Sequence, residues 1–448
     1  MAAIIIPKTL KGFRDFLPEA EIARKELVDK AEACFRAYGF VPIDTPALEY
    51  AEILLGKGGG ETEKQIYRFA DNGGRDVALR FDLTVPFARF LAAHRLELPI
   101  PFKRYHIAKV WRGENTQAGR YREFSQCDFD IVGTDGLAAD FEILLVMREA
   151  LLAIAGGPVT IKINHRGLFN RFLDTLGVGK QAAEVLRVVD KQAKAGRAET
   201  LRALVSVVGE EKAEAICAFA GTRGSFEETL AAMTAAAGGP CPESERLAQL
   251  YHSMRGMGIE KNFVLDPSIT RGLDYYTGIV FESFLNERPR LGSVCSGGRY
   301  DNLVGLYSRE PLSGVGASIG IDRLIAGLES LGRIEERRSY AQVGIVIINE
   351  KDMWACHGLA RAFRQSGVMC EVLPEIAGSR DSKRLVKQYV LAEKMGLEYV
   401  LVPGDEPLDD RVDLRYIPDR STANNISFEL AVQICKYPRL RETYLKRG

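Results

Sequence analysis

The sequence has no surplus of charge of either sign, because its 60 lysines and arginines equal its 60 aspartates and glutamates. A nucleic acid would therefore have to bind to a locally basic surface rather than to the protein as a whole. Hydrophobic residues make up 46% and charged residues 27% of the 448-residue chain, a composition that excludes dominant disorder, collagen and low complexity. A chain of this length favours two or three globular domains.

A cysteine framework and a long apolar segment are also missing. The eight cysteines form no C-x-x-C pair, so they predict neither a zinc knuckle nor a set of disulfides, and we expect a reducing, cytoplasmic location. No apolar stretch approaches the ~20 residues of a membrane span. The short apolar run before Pro7 has no basic flank, so we expect neither a secretory signal nor a membrane protein.

The two common phosphate-binding glycine motifs do not occur. Three glycines follow Lys57, but the order G-x-x-x-x-G-K-[ST] of a P-loop is absent. Gly314, Gly316 and Gly320, which we interpret as the entry to a helix, lack the G-x-G-x-x-G spacing of a dinucleotide-binding fold. These glycines could still let the backbone approach a planar ligand closely.

Patterning divides the chain into regions. Residues 77–133 contain strand-like runs with no convincing helix-length crossover between the last two, which favours an antiparallel sheet. The segment from about 168 is rich in Ala, Leu, Glu and Lys, and after a charged linker strands and helices alternate as in a parallel βαβαβ unit. We therefore predict four segments: an α+β core in two parts, a helical insertion between them and a separate α/β domain, at residues 1–167, 261–332, 168–260 and 340–448 respectively.

The richest segment for chemistry runs from 102 to 124. Six cations face only Glu114 and Glu123 in it: Lys103, Arg104, Lys109, Arg112, Arg120 and Arg122. The charge pattern is explained equally well by a solvated hairpin with cross-strand ion pairs and by a phosphate-binding site.

Two more constellations follow. Arg271, Asp274, Tyr275 and Tyr276 lie within six residues, where an arginine can clamp a phosphate and tyrosine hydroxyls can hold a polar substrate. A turn with satisfied tyrosines explains that peptide better when it is taken alone. The third constellation, Gly297-Gly-Arg-Tyr-Asp301, precedes a glycine-rich stretch and a helix that contains Arg323.

Taken together and in this order, these segments resemble the motifs of the class II aminoacyl-tRNA synthetases. The residues from Phe40 to Pro46 resemble motif 1, and Gly316 to Arg323 resemble motif 3. Motif 2 is matched by Arg112-Gly-Glu114, a loop and then Arg120-x-x-x-Phe124. Three other peptides are similar to those of the histidyl-tRNA synthetase family, namely Arg80–Pro86, Arg271–Tyr276 and Gly297–Asp301.

The resemblance covers nearly the whole chain and implies an enzyme that attaches L-histidine to tRNA(His) through a histidyl-adenylate. It implies ATP as a substrate, Mg²⁺ on the outer phosphates, a class II catalytic domain, a C-terminal anticodon-binding domain and a homodimer formed through motif 1. Two alternatives remain, a catalytically inactive regulatory subunit of the same fold and a non-enzymatic RNA-binding accessory protein. Such a regulatory subunit usually lacks catalytic motif residues and the C-terminal domain, whereas Arg112, Arg271, Arg323 and that domain are present here.

The resemblance also implies roles for individual residues. Arg271 and Arg112 would be catalytic, and Asn115 and Gln117 would approach the tRNA acceptor end. ATP would be bound by Arg112, Glu114, Arg120, Phe124 and Arg323. Histidine would be bound by Asp82, Thr84, Arg112, Gln126, Asp130, Arg271, Tyr275, Tyr276 and Tyr300.

No protein side chain is assigned to a metal, and the sequence departs from the family pattern at three acidic positions. Asp322 stands where motif 3 usually has glutamate, which leaves its contact with metal or ATP open. Asp82 and Asp130 stand where many bacterial members have glutamate, so the shorter side chains would need a water molecule or a shifted backbone.

Overall fold

The computed structural model describes residues 5–56, 61–116, 119–270, 276–301, 304–308, 312–380, 382–404 and 410–446. The chain divides into two compact units, of which the first comprises residues 1–15 and 26–334 and the second residues 16–25 and 335–448. Among the described residues, no helix combines the length and the apolar character that crossing a membrane requires.

The first unit is built on an eight-stranded sheet with the strand order β1-β5-β6-β11-β10-β9-β7-β8, beside a small antiparallel sheet in the order β2-β4-β3. The strands are β1 (Val41–Pro42), β2 (Leu48–Tyr50), β3 (Arg68–Ala70), β4 (Asp76–Leu79), β5 (Phe102–Trp111), β6 (Glu123–Val132), β7 (Val159–His165), β8 (Phe263–Leu265), β9 (Ile279–Leu285), β10 (Cys295–Tyr300) and β11 (Gly314–Gly320).

All neighbours from β5 across to β7 are antiparallel, which confirms the predicted sheet. The two outermost pairs, β1 with β5 and β7 with β8, are parallel. Pro42 lies in the edge strand β1, where its missing N–H leaves no gap inside the ladder.

Strand β11 corrects the interpretation of its glycines as the entry to a helix. The segment is a full strand between β6 and β10, and helix α13 (Ile321–Ser330) begins only after it. Glycine weakens a strand signal, yet here the absence of side chains is required. A Cβ on Gly316 would lie 1.9 Å from Asp130 Oδ1, and a Cβ on Gly297 would lie 2.1 Å from the Gly316 carbonyl oxygen.

Helices cover the large sheet and fill the region predicted as a helical insertion. Before α13 they are α1 (Pro18–Ala37), α2 (Ala51–Leu55), α3 (Glu61–Gln65), α4 (Thr84–Ala93), α5 (Leu137–Ala155), α6 (Arg166–Thr175), α7 (Ala182–Asp190), α8 (Gln192–Ala195), α9 (Arg197–Val208), α10 (Glu210–Ala220), α11 (Phe226–Ala236) and α12 (Pro242–Gly256). Phe169 of α6 and Leu247 of α12 belong to the same buried cluster as Phe129 and Ile319 of the sheet. The domain boundaries given above stay predictions.

The second unit contains a five-stranded sheet in the order β13-β12-β14-β15-β16. Its elements are β12 (Val343–Ile347), α14 (Met353–Gln365), β13 (Cys370–Ile376), α15 (Lys383–Met395), β14 (Tyr399–Pro403), β15 (Arg411–Tyr416), β16 (Thr422–Ser427), α16 (Phe428–Lys436) and α17 (Arg441–Tyr444).

The first three strands of that sheet are parallel, as the alternation predicted. Strands β15 and β16 extend it in antiparallel fashion and were not predicted. The sequence of β15 alternates charged and apolar residues, and β16 contains two asparagines, so both give a weaker strand signal than an apolar run.

Candidate active site

Strand β6 contributes a row of side chains to the candidate site. Because side chains alternate along a strand, Phe124, Gln126, Asp128 and Asp130 share one face of β6. The register places Arg104 of β5 opposite Asp130, and Ser318 and Gly316 of β11 opposite Asp128 and Asp130. The row has a cationic, aromatic end at Phe124 and an acidic end at Asp130.

At the first end, the five residues predicted to bind ATP line one cleft with about 620 Å³ of free space: Arg112, Glu114, Arg120, Phe124 and Arg323. The guanidinium carbon of Arg112 lies 5.1 Å from the centre of the Phe124 ring. Its Nε donates to the Phe81 carbonyl oxygen at 2.9 Å. Cations and an aromatic face together suit the phosphates and the base of a nucleotide.

Two of these cations are held in place by neighbours. Arg120 Nη1 donates to Glu114 Oε2 at 3.2 Å, and Arg323 Nη1 donates to the Ser293 carbonyl oxygen at 2.7 Å. The motif 2 segment and the start of α13 therefore meet at the cleft with their side chains already oriented. Such orientation reduces the ordering cost of binding.

Asp322 lines the cleft and connects the start of α13 to β6 and to Arg14. Its Oδ2 accepts from the Ser125 backbone N–H at 2.7 Å, and its Oδ1 pairs with Arg14. Each oxygen of Asp322 thus has a protein partner. Among the described residues, no group of three or more His, Cys, Asp or Glu side chains has the arrangement of a metal site.

At the acidic end, three carboxylates are almost fully buried, with exposed fractions of 1% for Asp82, 1% for Asp128 and 3% for Asp130. Burial raises the pKa of Asp82 to about 6 and that of Asp128 to about 7, because water no longer stabilises the ionised form. Asp82 Oδ1 accepts from the Val85 N–H at 3.0 Å. Its buried Oδ2 has no hydrogen-bond partner in the described part of the chain.

Asp130 is held from two sides. The Tyr300 hydroxyl donates to its Oδ1 at 2.7 Å, and Arg104 Nη2 lies 2.6 Å from its Oδ2. The latter contact lacks hydrogen-bond geometry and is an ion pair. Burial raises the pKa of Asp130, and Arg104 opposes that shift. The ring of Tyr276 packs over Gly298, which pairs with Gly316 opposite Asp130.

Asp128 contacts two of the residues that were predicted to bind histidine. Thr84 Oγ1 donates to its Oδ2 at 3.5 Å, and Gln126 Nε2 lies 3.4 Å from its Oδ1. Gln126 Nε2 also donates to Ser318 Oγ at 2.6 Å. The Gln126 Oε1 atom is buried and has no hydrogen-bond partner among the residues the structure describes.

The remaining predicted residues are placed as follows. Asn115 is exposed in the segment after β5. Gln117, Arg271 and Tyr275 lie outside the described residues. Their roles, like those of the other predicted site residues, stay predictions.

Sequence reasoning missed Asp128 and misjudged Arg104. The spacing of Gln126, Asp128 and Asp130 at every second position could have revealed Asp128. Arg104 was counted among the surplus cations, but it is completely buried and pairs with Asp130. Lys109, by contrast, forms the expected solvated ion pair with Glu123 at 2.7 Å.

The antiparallel sheet, with motif 2 and motif 3 side chains converging on one cleft, defines a class II aminoacyl-tRNA synthetase. The family model described as "Histidyl-tRNA synthetase" matches residues 12–324. The chain is 52% identical to the histidine–tRNA ligase of Treponema denticola, with 90% of each chain covered. It therefore belongs to the histidyl-tRNA synthetase family.

Other relatives agree with this placement. The histidine–tRNA ligase of Rhodopirellula baltica is 46% identical, with 90% of this chain and 91% of the relative covered. The crystal structure of histidyl-tRNA synthetase from Nostoc sp. PCC 7120 matches with a TM-score of 0.83 and 31% identity, covering 97% of this chain and 99% of that one. The predicted family, fold class and ligase activity are confirmed, and the regulatory alternative is not favoured.

Proposed function

We propose that the protein attaches L-histidine to tRNA(His) in two steps. The carboxylate oxygen of histidine attacks the α-phosphorus of ATP, the bond to the bridging oxygen of pyrophosphate breaks, and histidyl-adenylate forms. A terminal ribose hydroxyl of the tRNA then attacks the acyl carbon and releases AMP. The observation that best supports this reaction is the single row on β6, which joins a nucleotide-type cleft to a buried acidic pocket.

ATP recognition rests on the cleft at the Phe124 end of the row. Phe124 and Arg323 would hold the adenine between an aromatic face and a guanidinium plane. Glu114 would accept from the adenine amino group, and Arg120 would bind the γ-phosphate. Mg²⁺ would be held by the phosphate oxygens of ATP and would neutralise part of their charge.

Histidine recognition rests on the acidic end of the row. Asp82, Thr84 and Gln126 would accept the α-ammonium group, and the unpartnered buried oxygens of Asp82 and Gln126 among the described residues fit that task. Asp130 and Tyr276 would bind the imidazole, while Tyr275 and Tyr300 would shape its pocket. Buried polar partners of this kind reject apolar isosteres by about 10⁴-fold, because the unpaired groups would be costly.

Catalysis requires fixed positive charge near the α-phosphate. Arg112 lies between the two ends, since its side chain contacts both the Phe124 ring and the Phe81 carbonyl oxygen. We assign to Arg112 and Arg271 the stabilisation of charge that develops on the pentacoordinate phosphorus. Asn115 and Gln117 would approach the end of the tRNA acceptor stem.

We further propose a cytoplasmic homodimer formed through the segment that resembles motif 1. Large apolar side chains are exposed on this segment and just after it, namely Val41 at 46%, Leu48 at 39% and Tyr50 at 52%. A second copy would remove them from water. Sedimentation should give a dimer at assay concentration, and a monomer would contradict the proposal.

Pyrophosphate exchange tests the first step directly. The purified protein, ATP, Mg²⁺ and labelled pyrophosphate should give labelled ATP with L-histidine and not with the other amino acids. Transfer of labelled histidine to tRNA(His) tests the second step. Absence of exchange with every amino acid would favour the regulatory or RNA-binding alternatives.

A further inference from the structure

Arg104 is a buried cation that the reaction described above does not use. It has no exposed surface, and its guanidinium carbon lies 4.0 Å from the centre of the Phe87 ring. Its Nη2 pairs with Asp130, and its Nε and Nη1 have no hydrogen-bond partner among the described residues. A buried guanidinium is costly unless its charge is compensated, so its placement beside the carboxylates is informative.

The carboxylates need this charge. Asp82, Asp128 and Asp130 are all buried, and Asp128 lies close enough to the other two for their charges to interact. Without a counter-ion, burial would favour their protonated forms. Arg104 opposes the rise in pKa at all three residues. Arg112 acts on Asp82 from the cleft end of the row.

The other groups around Asp130 cannot replace Arg104. His106, the next residue on the same face of β5, has its pKa lowered to about 4, mainly by burial and also by Arg104 and Arg80, so it is neutral at pH 7. Ser318 and Gly316 of β11, Tyr300 of β10, and Thr84 and Phe87 of α4 carry no charge at that pH. Among the described residues, Arg104 is the cation in direct contact with Asp130.

We propose that Arg104 is a positioning residue that keeps Asp130 ionised and oriented, so that the pocket demands an N–H group from the bound side chain. The inference rests on the proposed function and deepens it. An ionised carboxylate only accepts hydrogen bonds, whereas a protonated one also donates. With Tyr300 on Oδ1 and the charge of Arg104 beside Oδ2, the ionised Asp130 keeps free lone pairs that can accept from an imidazole N–H.

The decisive variant is Arg104→Gln, which removes the charge and keeps a long polar side chain. At pH 7 we expect the KM for histidine in pyrophosphate exchange to rise about 10²-fold, with the KM for ATP changed less than about threefold. Raising the pH to 8.5 should restore at least part of the affinity, because Asp130 ionises again. A rise in KM that is the same at both pH values, or no rise, would overturn the proposal.

A second probe reads the direction of the hydrogen bond. Thiazolylalanine resembles histidine in size, but its ring has a nitrogen acceptor and no N–H. The wild-type protein should exclude it, and Arg104→Gln at pH 7 should accept it relatively better, since a protonated Asp130 can donate to the ring. An unchanged ratio of exchange with histidine to exchange with thiazolylalanine would contradict the assigned role.

Two variants separate positioning from folding. Arg299→Gln breaks a matched buried pair of the same sheet, in which Arg299 Nη2 lies 2.6 Å from Asp140 Oδ1, and it should lower stability while keeping the wild-type pH profile. Arg104→Lys keeps the charge, so its KM should rise only several-fold and with no added pH dependence. If Arg104→Gln does not fold, a pH-dependent KM in Arg104→Lys would overturn the proposal. Exchange by the wild-type protein, measured first, tests the proposed function separately.

Discussion

The two sheets bury different kinds of side chain. In the eight-stranded sheet and its surroundings, buried charged residues include Arg104, Asp130, Arg299 and Asp140. In the five-stranded unit, the buried polar side chains among the described residues are the uncharged Gln388 and Ser421. Because buried charge lowers stability unless it is compensated, its concentration around one sheet indicates that this sheet carries the chemistry.

Individual strands of the two sheets, β12 and β6, differ in the same way in the side chains that they bury. All five residues of β12 are buried and four of them are aliphatic, as expected for a parallel strand covered on both faces. Strand β6 is also largely buried, but apolar and polar side chains alternate along it from Gln126 to Ile131. Cys127, Phe129 and Ile131 enter the apolar core, while Gln126, Asp128 and Asp130 lie on the opposite face, in the candidate site. In β12 both faces are covered by the protein itself. In β6 one face is covered by the apolar core, and a bound ligand would cover the other.

The strongest test of this contrast is Arg112→Ala in the cleft. Removal of a fixed cation at the reacting phosphate should lower pyrophosphate exchange by about 10³-fold, because the developing charge loses its stabilisation. Lys109→Ala is the matched control, since Lys109 lies three residues earlier in the chain, on β5, is 48% exposed and pairs with Glu123. It should exchange at nearly the wild-type rate. Similar losses in both variants would contradict a specific role for Arg112.

Gly316→Ala should have the next largest effect. The added methyl group would lie 1.9 Å from Asp130 Oδ1 and 2.8 Å from the Phe129 carbonyl oxygen, so the carboxylate has to move. We expect the KM for histidine to rise about 10²-fold, with a smaller change for ATP. Steady-state exchange measures both, and an unchanged KM for histidine would show that the position of Asp130 is not critical.

Asp128→Asn should stabilise the ligand-free protein at high pH. The pKa of Asp128 is about 7 in the folded state, above its unfolded value, so the native state binds the extra proton and wild-type stability falls as the pH rises between the two values. Asparagine does not ionise. The gain in the free energy of unfolding should be smallest near pH 4, should grow as the pH rises toward 7, and should reach about 4 kcal/mol at pH 8. Thermal unfolding without histidine checks this.

Asp266→Asn is the control with the opposite sign. Burial acts to raise the pKa of Asp266, but hydrogen bonds from Lys162 and Ser268 outweigh it and lower the pKa overall. The ionised form therefore stabilises the native state above the unfolded pKa, and that contribution is lost as the pH falls through the folded pKa. The variant should be less stable than wild type at pH 8. Equal shifts for both aspartates would contradict the assignment for Asp128.

The smallest effect is expected in the second unit. Gly358 lies in α14, and a Cβ there would meet no atom within 4 Å. Gly358→Ala should raise the free energy of unfolding by about 0.5–1 kcal/mol, because alanine favours the helix. Pyrophosphate exchange should not change. A loss of exchange would show that α14 contributes to the reaction.

The sequence predicted elements where local pattern and tertiary context agree. The strand-like runs predicted within residues 77–133 include β5 and β6, which pair in the predicted antiparallel sense, and the helix predicted to contain Arg323 is α13. The sequence-based prediction was wrong at β11, where glycine is required because a side chain would clash with Asp130 or with a neighbouring strand. The ion pair of Arg104 with Asp130 could not be predicted, because it depends on the register of β5 against β6.

Strand β6 also fixes the distance between the two ends of the candidate site. Phe124 and Asp130 are six residues apart on one hydrogen-bonded strand, which separates them by about 20 Å at the usual rise per residue. A paired strand cannot stretch, and rotamer changes cannot shift its backbone. In the proposed complex, the sheet would therefore fix the distance between the imidazole and the adenine, and a side chain that is too long or too short would leave the carboxylate away from the phosphorus.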